Sequence, residues 1–232
     1  VDARAKDLEM YAGSTVPPPG YSLETEVEGI RRVADDAGFD TFHLVGYSAG
    51  GASSLAFASG HPERLRSLAL MEPAWAGRTG QTPEEAAVFD RFRAIPEMAP
   101  EAIMPAFIRT QLAAGVEPPP PSGPPPPWMP SRLAGIGGFL AAFDAFEPDV
   151  DVLRRFDRPV YFALGGRGNP DLYALMAQRL AGVFSDFTLD VFEDRHHFDP
   201  PHRVEPARLA AALRGIWSRA ETSHESDRGG TA

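Results

Sequence analysis

The chain contains no cysteine. Disulfides, thiolate nucleophiles and cysteine-ligated metals are thereby excluded, while the compartment stays open. It also lacks any apolar run of membrane-spanning length, and its first residues carry no basic-then-apolar segment. No membrane partner is expected, and the reading is a soluble cytoplasmic protein. Positive charge is short as well. Lys and Arg number 22 against 32 Asp and Glu, a net charge of -10, which argues against nucleic acid as a partner. No internal repeat is found. What is present is 232 residues with 43% hydrophobic content, enough for one domain with a sizeable core and room for an inserted cap.

The organising stretch is Phe42-His43-Leu44-Val45-Gly46-Tyr47-Ser48-Ala49-Gly50-Gly51. A short apolar run stops at Gly46, turns at Ser48 and enters a small-residue helix that extends to Ser59. Gly46 and Gly50 are expected to be required because a side chain at either would strike the strand or helix behind. The outcome is a serine hydroxyl held at the carboxyl end of a strand, with a helix N-terminus beneath it. The alternative is a glycine-rich turn with an incidental serine.

Before this stretch, a short strand is expected to end near Leu8, and Pro17-Pro18-Pro19-Gly20 breaks the chain. Ser22 reads as a helix N-cap, with Glu24 and Glu26 favoured by the positive helix end. Val27, Ile30, Val33, Ala34 and Ala37 share one helical face, and Gly38 ends the helix. After it, Leu65–Met71 reads as a strand, and the alternation of strand and helix predicts a mostly parallel sheet with helices on both faces, an α/β fold. From Trp75 to Val150 that rhythm breaks into helices over 84–95, 99–114 and 132–146. Between them lies the proline-rich stretch 117–130, which together with Pro17–Pro19 holds half of the 24 prolines and reads as an extended crossing. The sheet resumes over 159–164, a helix follows over 170–182, and Phe187–Phe192 is the last strand. A final helix opens at Glu205-Pro206 and runs to about Ala220. The organisation is thus a core over 1–74 and 151–220, a helical cap over 75–150 and a disordered tail over 221–232.

The strand–Gly-x-Ser-x-Gly–helix pattern resembles the nucleophile elbow of the α/β-hydrolase family. The resemblance covers the chain from about Ala5 to Ala220, with the cap its least specific part. It implies a serine nucleophile at Ser48, then an acid, then a histidine in the loop after the last strand. Arg195-His196-His197-Phe198-Asp199-Pro200-Pro201 resembles that loop, and His197 fits best as the base, with His196 and His202 as alternatives. His43 lies within a strand and reads as a hydrogen-bonded core residue; His61 and His224 read as surface residues. No ligand spacing supports a metal, and no cofactor is implied.

The acid departs from the family pattern. The position three residues beyond Gly165, where the family places Asp, is Gly168. Two candidates stand in for it: Glu72, directly after the strand 65–71, and Asp171, which otherwise caps the helix after Pro170. The oxyanion hole needs two N–H donors; Ala49 offers one, and the second belongs in the family to a His-Gly loop that this sequence does not contain. Only one strand and one helix precede the elbow strand, so the chain resembles a member lacking its N-terminal strands. The resulting expectation is a serine hydrolase acting on an ester or related acyl bond of a small, partly apolar molecule, with a homo-oligomer possible in principle. The alternative is a non-catalytic binding protein, or an inactive fragment, on the same fold.

Overall fold

The structure is a computed structural model that describes residues 2–118, 127 and 129–229, with side chains as far as residue 222. Strands β1 (Phe42–Tyr47), β2 (Leu65–Met71), β3 (Val160–Gly165) and β4 (Phe187–Phe192) form one four-stranded sheet in the order β1-β2-β3-β4. Every pairing is parallel, with Leu44 opposite Leu68, Ala69 opposite Tyr161 and Phe162 opposite Leu189.

Parallel strands need covered faces, and period 2 decides which residue serves which face. Leu68 and Leu70 of β2 and Phe162 and Leu164 of β3 join one apolar cluster with Leu55 and Phe57. Ala69, Met71, Tyr161 and Ala163 point to the other face, where Leu209, Leu213 and Ile216 cover them. The first face is packed by α1 (Leu23–Asp36), α2 (Ala49–Gly60) and α7 (Leu175–Ala181), the second by α9 (Pro206–Gly229), which follows the one-turn α8 (Pro201–Val204).

Between β2 and β3 the chain forms α3 (Pro83–Ala94), α4 (Pro100–Thr110), α5 (Met129–Ala145) and the short α6 (Val150–Arg154). Phe89, Phe92, Phe139 and Phe143 of this insertion are buried in the same cluster as the sheet residues rather than in a core of their own. Arg179 of α7 fastens it by pairing with the fully buried Glu85 at 2.7 Å. The proline-rich crossing falls largely on residues 119–126 and 128, outside the described residues.

Local chemistry accounts for α1. Ser22 and Thr25 satisfy each other's backbone N–H groups in a reciprocal cap, and Gly38 takes φ +71° just past the C-terminus, where Phe39 N–H reaches back to the Ala34 carbonyl at 2.9 Å.

Three expectations are corrected. The N-terminal segment forms no strand: residues 2–8 are irregular and Glu9–Tyr11 make one 3-10 turn. Two N–H groups of this segment, those of Glu9 and Met10, go to a side chain instead. Glu26, read as a dipole partner, is fully buried and accepts from Glu9 and Met10 N–H, the Tyr21 hydroxyl and Lys6 Nζ, each at 3.0 Å. The third correction is the tail. α9 does not stop at Ala220 but continues to Gly229, and its Glu221 is tied down by Arg66 at 2.8 Å.

β1 is one edge of the sheet. A groove of about 610 Å³ runs along its outer side between α1, α2 and residues 2–8, and Val45 there is 38% exposed. Ser53 and Ser54 line this groove; Ser48 does not. Among the described residues no helix is long and apolar enough to cross a membrane.

Candidate active site

Ser48 stands between β1 and α2 with φ 54° and ψ -121°, a backbone state that costs a non-glycine residue on the order of 1–3 kcal/mol. Its surroundings hold it there. Its N–H donates to the Met71 carbonyl at 3.1 Å, and its own carbonyl accepts from Ala52 and Ala74 N–H at 3.0 and 2.9 Å. The close approach depends on Gly46, where a Cβ would lie 2.4 Å from Gly50 O and from Ser54 Oγ. The expected requirement for Gly50 is not found. Nothing lies within 4 Å of a Cβ at that position, and it is Gly51 that needs to be small, because a Cβ there would come within 2.9 Å of Pro73. Ala49 is the first residue of α2, so its N–H has no partner within the helix and lies at the positive helix end.

Glu72 follows β2 and is also left-handed, with φ 44°. The residue is buried, 5% exposed. Oε1 accepts Gly165 N–H at 2.8 Å, and Oε2 lies 2.9 Å from His197 Nδ1. His197 Nε2 is 3.0 Å from Ser48 Oγ. A carboxylate can only accept, so the network assigns the proton to Nδ1 and leaves Nε2 as the acceptor for the Ser48 hydroxyl. Three loops that follow three different strands thus deliver one continuous hydrogen-bond line.

Three aromatic rings surround that imidazole, Phe198 perpendicular to it at 5.3 Å and two tyrosines closer to parallel. Tyr173 stacks on it with centroids 4.9 Å apart and planes 7° apart, and Tyr47 lies at 5.0 Å and 31°. The Tyr47 hydroxyl donates to the His197 carbonyl, and the Tyr173 hydroxyl donates to Gln111 Oε1 at 2.7 Å. Burial, and after it the nearby Glu72 carboxylate, pushes both phenols well above their ordinary range, so both remain O–H donors.

The other sequence candidates are placed differently. Asp171 is exposed at the start of the turn 170–174, with its N–H on Asn169 Oδ1 at 3.0 Å. At Gly168 a Cβ would sit 3.3 Å from Glu72 Oε1, so the space for a side chain there is bordered by the carboxylate that reaches His197. His196 Nδ1 lies between Phe198 N–H at 3.1 Å and Asp199 Oδ1 at 2.9 Å. The His202 ring packs on Tyr47 at 5.0 Å, and burial lowers its proton affinity. His43 is hydrogen-bonded to Ser67 of β2 at 2.8 Å and to Glu221 of α9 at 3.1 Å. His61 is 38% exposed in its side chain, and His224 lies where side chains are not described. Among the described residues no cluster of three or more His, Asp and Glu is arranged to share a metal ion.

Sequence reading passed over Tyr173 and Gln111. A tyrosine and a glutamine in helical segments carry no motif, and only the chain's return from the insertion brings them to His197. Tyr47 fills a variable position of Gly-x-Ser-x-Gly, and the motif specifies no ring contact for it.

Comparison with known proteins bears on the fold that carries these residues. A family model described as the alpha/beta hydrolase fold matches residues 7–116. RutD of Caulobacter segnis, a protein named for carbamate hydrolysis, is 38% identical over 56 residues, a match spanning 24% of this chain and about a fifth (21%) of that relative. An esterase from Exiguobacterium antarcticum superposes with a TM-score of 0.62 at 18% identity, covering 89% of this chain and 78% of that one. A thermophilic esterase from Thermogutta terrifontis does so with a TM-score of 0.61 at 19% identity, covering 92% and 78%. At such identities the likeness is one of fold: the chain has the α/β-hydrolase fold, and the family model that matches it covers just under half of its length.

Proposed function

We propose that the chain is a serine hydrolase that cleaves an ester or a related acyl bond through an acyl-enzyme. The observation that carries this reading is the unbroken line Ser48 Oγ, His197, Glu72, with contacts of 3.0 and 2.9 Å. A serine hydroxyl is a weak nucleophile until a base takes its proton, and the base works only if its other nitrogen is held in the right tautomer. His197 Nε2 removes the Ser48 proton as Oγ attacks the carbonyl carbon, and Glu72 steadies the imidazolium without taking its proton. The carbonyl oxygen becomes an oxyanion facing Ala49 N–H at the start of α2; a donor so placed is worth about 3–4 kcal/mol in the transition state. His197 then protonates the leaving alcohol, and water, activated by the same imidazole, releases the acid.

The insertion 75–150 is proposed to act as a cap over this site. Its Phe107 packs edge-on against Phe198, next to His197, at 6.5 Å, which supports a substrate with an apolar part. Esters and carbamates present the same carbonyl to the serine, so the name of the RutD relative is compatible with this chemistry. The test is labelling of the folded chain with a fluorophosphonate, followed by hydrolysis of p-nitrophenyl esters of increasing acyl length. Label located on Ser48, with turnover of at least one ester, supports the reading. A folded chain that takes no label sinks it and leaves a binding protein on a hydrolase fold.

A further inference from the structure

The ring contacts around His197 have a chemical consequence that rests on its role as the proposed base. An imidazole carries no charge before attack and a full positive charge after it accepts the Ser48 proton. The faces of aromatic rings carry negative potential, and a cation held over them out of water is stabilised by them. Tyr173 lies nearly parallel to the imidazole at 4.9 Å, and Tyr47 covers it at 5.0 Å. Such rings favour the charged state that exists only along the reaction, so their contribution belongs to kcat rather than to substrate binding.

Tyr173 is also anchored in a particular way. Its hydroxyl donates to Gln111 Oε1, and Gln111, 2% exposed, donates from Nε2 to the Phe107 carbonyl at 2.9 Å. Gln111 is the residue just after α4, in the insertion. The backbone reinforces this link, since Asn169 N–H donates to the Gln111 carbonyl at 2.9 Å and Ala113 N–H to Arg167 O at 3.1 Å. The end of α4, the loop after β3 and the ring beneath His197 are therefore fastened to one another.

We propose that Tyr47 and Tyr173 are positioning residues for His197 through their rings, with the Gln111–Tyr173 hydrogen bond a secondary support that ties the Tyr173 ring to the insertion. The hydroxyl of Tyr173 registers the ring, and the ring fixes and stabilises the imidazolium. The ring matters more than the hydroxyl, so phenylalanine at 173 retains most of the effect and leucine does not.

The test uses the full chain and reads two signals. First, inactivation by a fluorophosphonate is split into its binding constant and its maximal rate. Tyr173→Leu lowers the maximal rate about 10–30-fold with the binding constant within about twofold, Tyr173→Phe stays within about threefold of wild type, and Tyr47→Leu falls in between. Equal losses in Tyr173→Leu and Tyr173→Phe, or a loss confined to the binding constant, overturn the proposal. Second, the His197 ring protons in wild type, assigned by their loss in His197→Gln, are displaced upfield in the proton NMR spectrum by the two ring faces. The displacement persists in Tyr173→Phe and shrinks in Tyr47→Leu; its absence in wild type overturns the stacking whether or not Tyr173→Leu folds. The NMR signal needs no turnover, so a wild type that shows the displacement yet takes no label removes the hydrolase reading alone. A wild type that takes label without the displacement removes the positioning role alone.

Discussion

Two Ser–His–Glu lines are built on this sheet, and only one has the attributes of a reaction centre. Ser48, His197 and Glu72 lie just beyond the carboxyl ends of β1, β4 and β2, while Ser67, His43 and Glu221 cross the strands themselves and reach α9. The connectivity is alike: one imidazole nitrogen meets the serine hydroxyl, the other a carboxylate. The surroundings are not. Ser67 is 1% exposed inside β2, its backbone is committed to the sheet and no helix begins beside it. Ser48 is partly accessible, strained at φ 54°, and followed at once by an N–H that no helical bond uses. Glu221 is held by Arg66 through both oxygens, at 2.8 and 2.9 Å, and its side chain is 44% exposed. Glu72 is buried, and its described partners are a backbone N–H and the imidazole. Residue types joined by hydrogen bonds therefore do not make a site. An accessible oxygen next to an unused amide, with a base held by a carboxylate whose charge no arginine cancels, has what the chemistry needs.

The largest effect separates the two serines. Ser48→Ala is expected to abolish fluorophosphonate labelling and to lower ester turnover by on the order of 10⁴–10⁶-fold, whereas Ser67→Ala labels as wild type does. Label retained by Ser48→Ala would reverse the comparison. The two acids come next. Glu72→Gln keeps the shape but removes the charge that fixes the His197 tautomer, and kcat is expected to drop by about 10⁴-fold. Glu221→Gln leaves kcat unchanged and costs only about 0–1 kcal/mol in urea unfolding, because the Arg66 pair it weakens is solvent-screened. If the two variants lose activity equally, Glu72 is not the orienting acid.

Much of this contrast is legible in the residues. The strand–turn–helix at 42–60 announces itself through Gly46, Ser48 and an apolar run before them, and the histidine loop through its place after the last strand. The acid is legible only as a choice, because Glu72 and Asp171 both follow strand ends, and what separates them is the left-handed turn at Glu72 that carries its carboxylate under Gly165. Partners far apart in the chain are not legible. Nothing local pairs Tyr173 with Gln111, 62 residues away, or turns Glu26 from a helix-end charge into the buried acceptor for the N-terminal segment. The extension of α9 past Ala220 is hidden for the same reason. Its polar sequence reads as unstructured until Arg66 and His43 on the sheet supply Glu221 with partners.

A third test concerns the turn that distinguishes Ser48. Gly46→Ala places a Cβ 2.4 Å from Gly50 O, so either α2 or the strand must shift, at about 1–3 kcal/mol in denaturant unfolding and with loss of labelling. Gly50→Ala meets open space and is expected to leave both stability and labelling near wild type. Equal damage from the two substitutions would mean that the turn is not held by the Gly46 contact.

The smallest effect lies in the second line and carries a definite sign. Burial lowers the proton affinity of His43 and Arg66 lowers it further, against the upward pull of Glu221. The folded chain therefore binds this proton less readily than the unfolded chain does, whose imidazole titrates near about 6.5. The unfolded state holds more protons at and below that pH, so stability rises with pH through the window and is lost on acidification. Above it the imidazole is neutral in both states and contributes no slope. His202 is shifted the same way by burial, but it is unchanged in a His43→Gln variant and cancels in the difference. Between pH 7.5 and 5.5 the melting temperature of wild type should fall further than that of His43→Gln, with labelling at Ser48 unaffected in both. The opposite ordering would mean that the folded state prefers His43 charged, with the Glu221 contact outweighing burial. The second line would then be an ion pair, with a charge already cancelled before any proton could be moved, and so still further from the chemistry of the first.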